Sequence, residues 1–165
     1  MPFFSIITPT YNRAHTLGMV FESLQAQKFK NFEWIIGDDG SDDDTQDLVK
    51  SFIKKAKFDI KYYKLKHGGK HNVLKAIKDY PSGEWILGLD SNDTLFDDNT
   101  LNDIKSATEN LPKDKKYNTV GGCFGGQKGE KISKFDEEYI DVDIEKYLQY
   151  LTGDTRMINC CLVSR

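Results

Sequence analysis

Three short polar stretches hold most of the residues that could do chemistry. They are Thr8-Pro9-Thr10-Tyr11-Asn12-Arg13, Asp38-Asp39-Gly40-Ser41 and Asp90-Ser91-Asn92-Asp93. A fourth, Lys66-His67-Gly68-Gly69-Lys70-His71-Asn72, is basic and carries a glycine pair. Carboxylates such as Asp90 and Asp93 are hard oxygen ligands, the kind that Mg2+ or Mn2+ takes together with phosphate oxygens. A carboxylate such as Asp39 can accept a charge-strengthened hydrogen bond from a ring N–H. Lys70 and His71 stand behind glycines that permit close backbone approach to a base edge or a phosphate. Each stretch also has a plainer reading. Asp-Asp-Gly-Ser makes a turn and a helix cap, Asn92-Asp93 makes a turn, and a basic loop can simply be solvated. Position decides between the two.

The elements around these stretches alternate. Phe3–Thr8 reads as a buried strand, and Leu17, Val20, Phe21 and Leu24 as the stripe of an amphipathic helix. Phe32–Gly37 is a second strand. Ser41 reads as the N-cap of a second helix, with Leu48, Val49, Phe52 and Ile53 as its buried face. Ile60–Leu65 is a third strand. Val73, Leu74, Ile77 and Tyr80 mark a third helix, and Trp85–Leu89 a fourth strand. Phe58, Tyr62, Tyr63 and Trp85 read as core. This βαβαβαβ order predicts an α/β fold, a three-layer α/β/α sandwich around a mostly parallel sheet. Ligands of such sheets bind at the carboxyl ends of the strands, where all three polar stretches fall. Beyond Asp93 the pattern loosens. Leu101, Ile104, Thr108 and Leu111 suggest a helix, Val120–Phe135 a hairpin about Gln127–Glu130, and Ile144, Tyr147, Leu148 and Leu151 another helix. Leu162–Arg165 reads as part of a strand.

Composition narrows the class. The chain has 165 residues, 38% of them hydrophobic and 30% charged, with a formal net charge of -3. That is enough for one core, and it argues against a nucleic-acid partner, which would need a basic footprint. There is no apolar run of transmembrane length and no signal-peptide pattern at Met1–Ser5, which points to a cytoplasmic protein. Cys123 and the adjacent Cys160-Cys161 match neither a zinc site nor a disulfide framework. No GxGxxG follows the first strand and no GxxxxGK[ST] occurs, so dinucleotide oxidoreductases and P-loop NTPases lose their main support.

Taken together, T-x-Y-N after the first strand, D-D-G-S after the second and D-S-N-D after the fourth resemble the family 2 glycosyltransferases of the GT-A fold. The basic Gly-rich segment before the third helix resembles one that some members carry. The resemblance is strong over residues 3–98. It implies a Rossmann-like fold with residues 1–98 as a nucleotide-sugar-binding half and 99–165 as the start of an acceptor-side region in the same structural domain. It further implies inverting, metal-dependent transfer from a nucleoside diphosphate sugar to a hydroxyl acceptor, in polysaccharide or glycoconjugate synthesis. UDP is the expected nucleotide, since Asp39 matches the uracil N–H, with Tyr11 packing on the base and Pro9 and Thr10 shaping the pocket. Arg13, Lys70 and His71 would meet phosphate or base, and Asp90, Ser91 and Asn92 would complete the nucleotide site. Asp93 is expected as the direct ligand of Mg2+ or Mn2+, with Asp90 serving ribose or metal. Asn92 departs from the usual aspartate of this DxD-like motif and brings less negative charge.

The resemblance also implies an acidic general base on the acceptor hydroxyl. It is expected beyond residue 165, with Asp154 the weak candidate within the chain. The implied acceptor is a saccharide or a lipid-linked saccharide. Such an acceptor brings peripheral association with the inner face of the membrane into view, and an apolar surface near Cys160–Val163 brings in a homodimer. Three other readings are weighed: a non-catalytic nucleotide-sugar binder, a sugar-1-phosphate nucleotidyltransferase and a phospho-acceptor receiver domain. The second wants a glycine-rich loop after the first strand. The third wants its acidic pair there and a lysine at a third strand end at the expected distance. This chain has none of these.

Overall fold

In the computed structural model, residues 1–110, 119–122 and 161–164 are described, the last two segments as backbone. The elements run β1 (Phe4–Thr10), α1 (Ala14–Ala26), β2 (Phe32–Asp38), α2 (Thr45–Lys55), β3 (Asp59–Lys64), α3 (Lys70–Ile77), β4 (Trp85–Gly88), α4 (Thr100–Glu109), β5 (Thr119–Gly122) and β6 (Cys161–Ser164). The turn and second strand of the expected hairpin, the helix expected about Ile144–Leu151, and Leu111 lie outside the described residues. The chain divides into two compact units, Met1–Val120 with Leu162–Arg165, and Gly121–Cys161.

The sheet order is β3-β2-β1-β4-β6-β5. β3, β2, β1 and β4 are mutually parallel, and β6 joins β4 antiparallel through Leu87↔Val163 and Ile86↔Ser164. The expected mostly parallel sheet and the terminal strand are both present. β1, β2 and β3 progress outward in one direction, whereas β4 returns to the other side of β1. The order therefore reverses at β1, which places a ligand crevice at the carboxyl ends of β1 and its neighbours.

Alternation along the strands builds a core on each face. On one face Trp34 meets Phe21 and Phe52, and Phe21 stacks on Phe52 at 4.2 Å between centroids. Leu17, Val20, Phe21 and Leu24 of α1 are all buried there, as their spacing predicts. The Trp34 indole N–H is satisfied by Thr8 Oγ1 at 2.8 Å. On the other face Ile7 and Ile35 pack with Val73 and Ile77 of α3. Each such buried side chain contributes roughly 1.5–3 kcal/mol. Trp85 is core, whereas Phe58, Tyr62 and Tyr63 are half-buried. Three predicted core positions are outside it. Ile53 is exposed on α2, because Val49 and Phe52 already cover the sheet beneath. Leu74 and Tyr80 are also exposed, and Tyr80 lies past the end of α3 and stacks on Tyr63.

β1 extends two residues beyond the predicted end, through Pro9 and Thr10. A proline in a central strand costs a ladder bond only where its nitrogen faces a partner. Ile7 O accepts Leu89 N and Thr10 O accepts Asp39 N, so by alternation Pro9 faces the β4 side. The ladder to β4 has ended by then, at Ile7↔Gly88. Among the described residues no helix is long and apolar enough to cross a membrane.

Candidate donor-nucleotide site

Asp38 and Asp39 follow one another at the end of β2, and their oxygens serve different partners. Asp38 is fully buried. Its Oδ1 accepts Ser41 N at 2.8 Å and Ser41 Oγ at 2.5 Å, and its Oδ2 accepts the Tyr62 hydroxyl. Burial, and then the hydrogen bond to Asp38, push the Tyr62 phenol well above its ordinary pKa. Ser41 Oγ in turn accepts Asn12 N at 2.8 Å, and Asn12 Oδ1 accepts Asp42 N at 3.0 Å. Asn12 sits at φ 51°, a region that Asn tolerates better than most residues. Ser41 is therefore not the cap of α2. The helix starts at Thr45, whose N–H is taken by Asp43 Oδ1 at 3.0 Å. Asp43 Oδ2 also accepts Ala14 N, and Thr45 Oγ1 accepts Arg13 N. These bonds stitch the loop after β1 to the loop after β2.

Asp39 is turned the other way. Its backbone N–H donates to Thr10 O at 2.9 Å, and its side chain is 5% exposed. Oδ1 accepts Gly68 N and Oδ2 accepts Gly69 N, each at 2.8 Å. His67 Nδ1 lies 2.9 Å from Oδ2 and 3.1 Å from the Asp39 carbonyl oxygen. Both neighbours of Nδ1 are acceptors, so that nitrogen carries the proton. The His67 ring stacks on Tyr11 at 4.5 Å between centroids, inclined by 30°. Gly40, at φ +78°, permits this approach, since a Cβ there would stand 3.0 Å from His67 N and 3.1 Å from Leu65 O.

The same loop leads into α3, whose first residue, Lys70, reaches Asp90 Oδ1 at 2.7 Å. Asp93 N donates to Asp90 O at 3.1 Å and closes the turn after β4. Ser91 is buried, with its carbonyl accepting Thr16 Oγ1 of α1 at 2.8 Å. Tyr11, Asp39, Lys70 and Asp90 are thus joined by a continuous set of contacts across the β1, β2 and β4 ends, and the turn carries Ser91, Asn92 and Asp93 with them. Pro9 is half-buried on β1. Thr10 is buried, with a hydroxyl lacking a partner among the described residues. Arg13, His71 and Asn92 are exposed at the rim. Asp154 lies outside the described residues.

Among the described residues no cluster of three or more His, Cys, Asp or Glu side chains forms a metal cage. Asp90 and Asp93 instead offer two carboxylates in one turn. That fits the way Mg2+ is held by one or two carboxylates with substrate phosphates and water filling the remaining positions. Sequence reasoning had not singled out His67, Gly68 and Gly69 as site residues. Their signal was the glycine pair itself, which supplies two unhindered N–H groups facing Asp39.

A cavity of about 310 Å³ lies at the opposite, amino-terminal end of the sheet, beside Lys30, Phe58 and Glu33. Its buried carboxylate is already committed. Glu33 accepts Ser5 Oγ, Lys61 Nζ, Ser82 N and Ser82 Oγ at 2.5–2.8 Å. Burial alone would raise the Glu33 pKa, but these four bonds outweigh it and hold the carboxyl at about 2. This end is structural.

A model of "Glycosyl transferase family 2" matches residues 5–162. A GalNAc(5)-diNAcBac-PP-undecaprenol beta-1,3-glucosyltransferase from Campylobacter jejuni is 31% identical over 148 residues, which cover 88% of this chain and 46% of that protein. A PGL/p-HBAD biosynthesis glycosyltransferase from Mycobacterium bovis is 30% identical over 120 residues, covering 72% and 47%. The chain thus spans about half the length of these curated relatives. Among solved structures, S. aureus TarS 1-349 in complex with UDP-GlcNAc is 31% identical, with a TM-score of 0.58 over 66% of this chain and 31% of that one. The mannosyltransferase PcManGT from Pyrobaculum calidifontis, in complex with GDP-Man and Mn2+, shares the fold at 19% identity. Its TM-score is 0.65 over 76% of this chain and 36% of that one. With the GT-A architecture and the motifs at its strand ends in place, the chain belongs to glycosyl transferase family 2.

Proposed function

We propose that the cleft at the carboxyl ends of β1, β2 and β4 binds a nucleoside diphosphate sugar, with UDP as its nucleotide. In this reading the chain supplies the donor side of an inverting glycosyltransferase. The observation that carries the reading is the run of contacts from Tyr11 through His67 and Asp39 to Lys70 and Asp90. It spans about the parts that such a donor presents, namely an aromatic base, a ribose and a diphosphate. The TarS complex with UDP-GlcNAc, at 31% identity, supports the choice of nucleotide.

Tyr11, backed by the His67 ring, packs on the base, and Asp39 accepts its imide N–H. Asp90, with Ser91 and Asn92, faces the ribose. Lys70, and Arg13 at the rim, draw the diphosphate, so Lys70 exchanges or shares its bond to Asp90 when the donor enters. Asp93, helped by Asp90, would hold Mg2+ or Mn2+. The bound ion would neutralise charge on the leaving diphosphate. His71, one residue on, adds positive charge to the same rim. The acceptor is a saccharide or lipid-linked saccharide in polysaccharide or glycoconjugate synthesis. The enzyme works in the cytoplasm at the inner face of the membrane. Residues 1–98 form the donor half and 99–165 begin the acceptor side. Titrating UDP, GDP and ADP by calorimetry tests the nucleotide assignment. UDP is expected to bind tightest, and equal affinities would remove the uracil reading.

A further inference from the structure

Lys70 stands against the local preference of its helix. A cation in the first turn of a helix is disfavoured by the helix dipole, and α3 has no acidic residue there to offset it. The partner comes instead from the turn after β4, where Asp90 Oδ1 accepts Lys70 Nζ at 2.7 Å. The backbone that carries Lys70 is fixed on both sides. Gly68 N and Gly69 N are each bonded to Asp39 at 2.8 Å, and Val73 and Ile77 anchor α3 in the core. Asp90 shares its turn with Asp93, and Asn92 between them brings no charge. One of the two carboxylates that this turn offers to a cation is thus already neutralised by an ammonium of the same chain.

We infer that Lys70 holds the place of the divalent cation at Asp90 in the free chain, and that a donor diphosphate, by drawing the ammonium away, releases that carboxylate to the metal. This rests on the donor-site reading above. Two cations on one carboxylate repel each other, so the Lys70 bond weakens whatever Asp90 gives to a metal. The pair is partly exposed, with side chains 59% and 33% accessible, and such pairs are weak. Lys70 therefore opposes the metal without excluding it, and a diphosphate, with more charge than one carboxylate, can outbid Asp90 for the ammonium. The consequence is coupling. Metal alone binds poorly, and nucleotide and metal each raise the affinity of the other by the same factor, to which the release of Asp90 contributes.

The test counts free Mn2+ by its electron paramagnetic resonance signal, with Mn2+ alone and with Mn2+ plus saturating UDP. It compares the wild-type chain, Lys70→Met, Lys70→Gln and Lys66→Met. Lys66 is another exposed lysine of the same loop and reports the effect of simply removing a nearby positive charge. Thermal unfolding checks that each variant is folded. Without UDP, both Lys70 variants should bind Mn2+ roughly two- to fivefold tighter than wild type, the range that an exposed ion pair spans. With UDP that gain should vanish, because the ammonium has already left Asp90. An unchanged or lower Mn2+ affinity of the nucleotide-free Lys70 variants would overturn the inference and leave the donor site standing. So would an equal gain in Lys66→Met, which would reduce the effect to net charge, or a gain that persists undiminished with UDP. Failure of the wild-type chain to bind Mn2+ more tightly with UDP than without it would instead overturn the metal-bridged donor site, and this inference with it.

Discussion

Asp38 and Asp39 are both buried, yet their oxygens serve different parts of the molecule. Asp38 is consumed by Ser41 and Tyr62 and fixes the loop that carries Asn12. Asp39→Ala should therefore have two effects. It strips Gly68 and Gly69 N–H of their acceptors, which should lower unfolding free energy by about 1–3 kcal/mol in a denaturant titration. It should also weaken UDP binding whether or not metal is present. Glu33 gives a prediction that reads pH. Its folded pKa of about 2 lies below the ordinary 4.5, so its contribution is full above pH 4.5 and is lost as pH falls from there toward 2. Acid titration of stability should show that loss, on the order of a few kcal/mol, and Glu33→Gln should flatten it. A slope unchanged in the variant would show that other carboxylates carry it. The polar residues at the strand ends were legible from their types and positions. The partners that hold Asp38 and Asp39 were not, because they arrive from Tyr62 and from the loop at 67–69, far along the chain.

β2 and α3 meet at Gly37, and the tightness of that contact sets where Lys70 stands. A Cβ on Gly37 would come 2.4 Å from Val73 Cγ1 and 2.9 Å from Ile77 Cδ1. Gly37→Ala should destabilise the chain by about 1–3 kcal/mol through overpacking. Because α3 must lift to make room, the variant should also lose UDP affinity. Normal UDP affinity in a destabilised Gly37→Ala would show that the α3 position and the site are uncoupled. The helices with regular apolar spacing were readable, α1 in full. The start of α2 was misplaced because Ser41 followed by acids looks like a cap, whereas the end of β2 had recruited Ser41 into its own network. Ile53 was misassigned for a related reason: periodicity shows which residues could be buried, and the width of the sheet beneath decides which are.

The donor motifs and the elements that carry them lie in the unit containing Met1–Val120, within a chain about half as long as its curated relatives. Order and topology were accessible because alternating strands and helices admit few arrangements, and because the reversal of strand order at β1 fixes the crevice. The reach of Lys70 to Asp90 was not, since it depends on side-chain length across two loops. The central claim is that one end of this sheet holds a nucleotide through Asp39 and a metal-bridged diphosphate through Asp93, as separate functions. It is tested most directly by titrating UDP calorimetrically into the wild-type chain, Asp39→Ala and Asp93→Ala, each with and without Mn2+. Asp93→Ala should lose a few kcal/mol, roughly, with Mn2+ and almost nothing without it. Asp39→Ala should lose roughly 1.5–3 kcal/mol in both conditions. Identical losses by the two variants in both conditions, or none in either, would contradict the account.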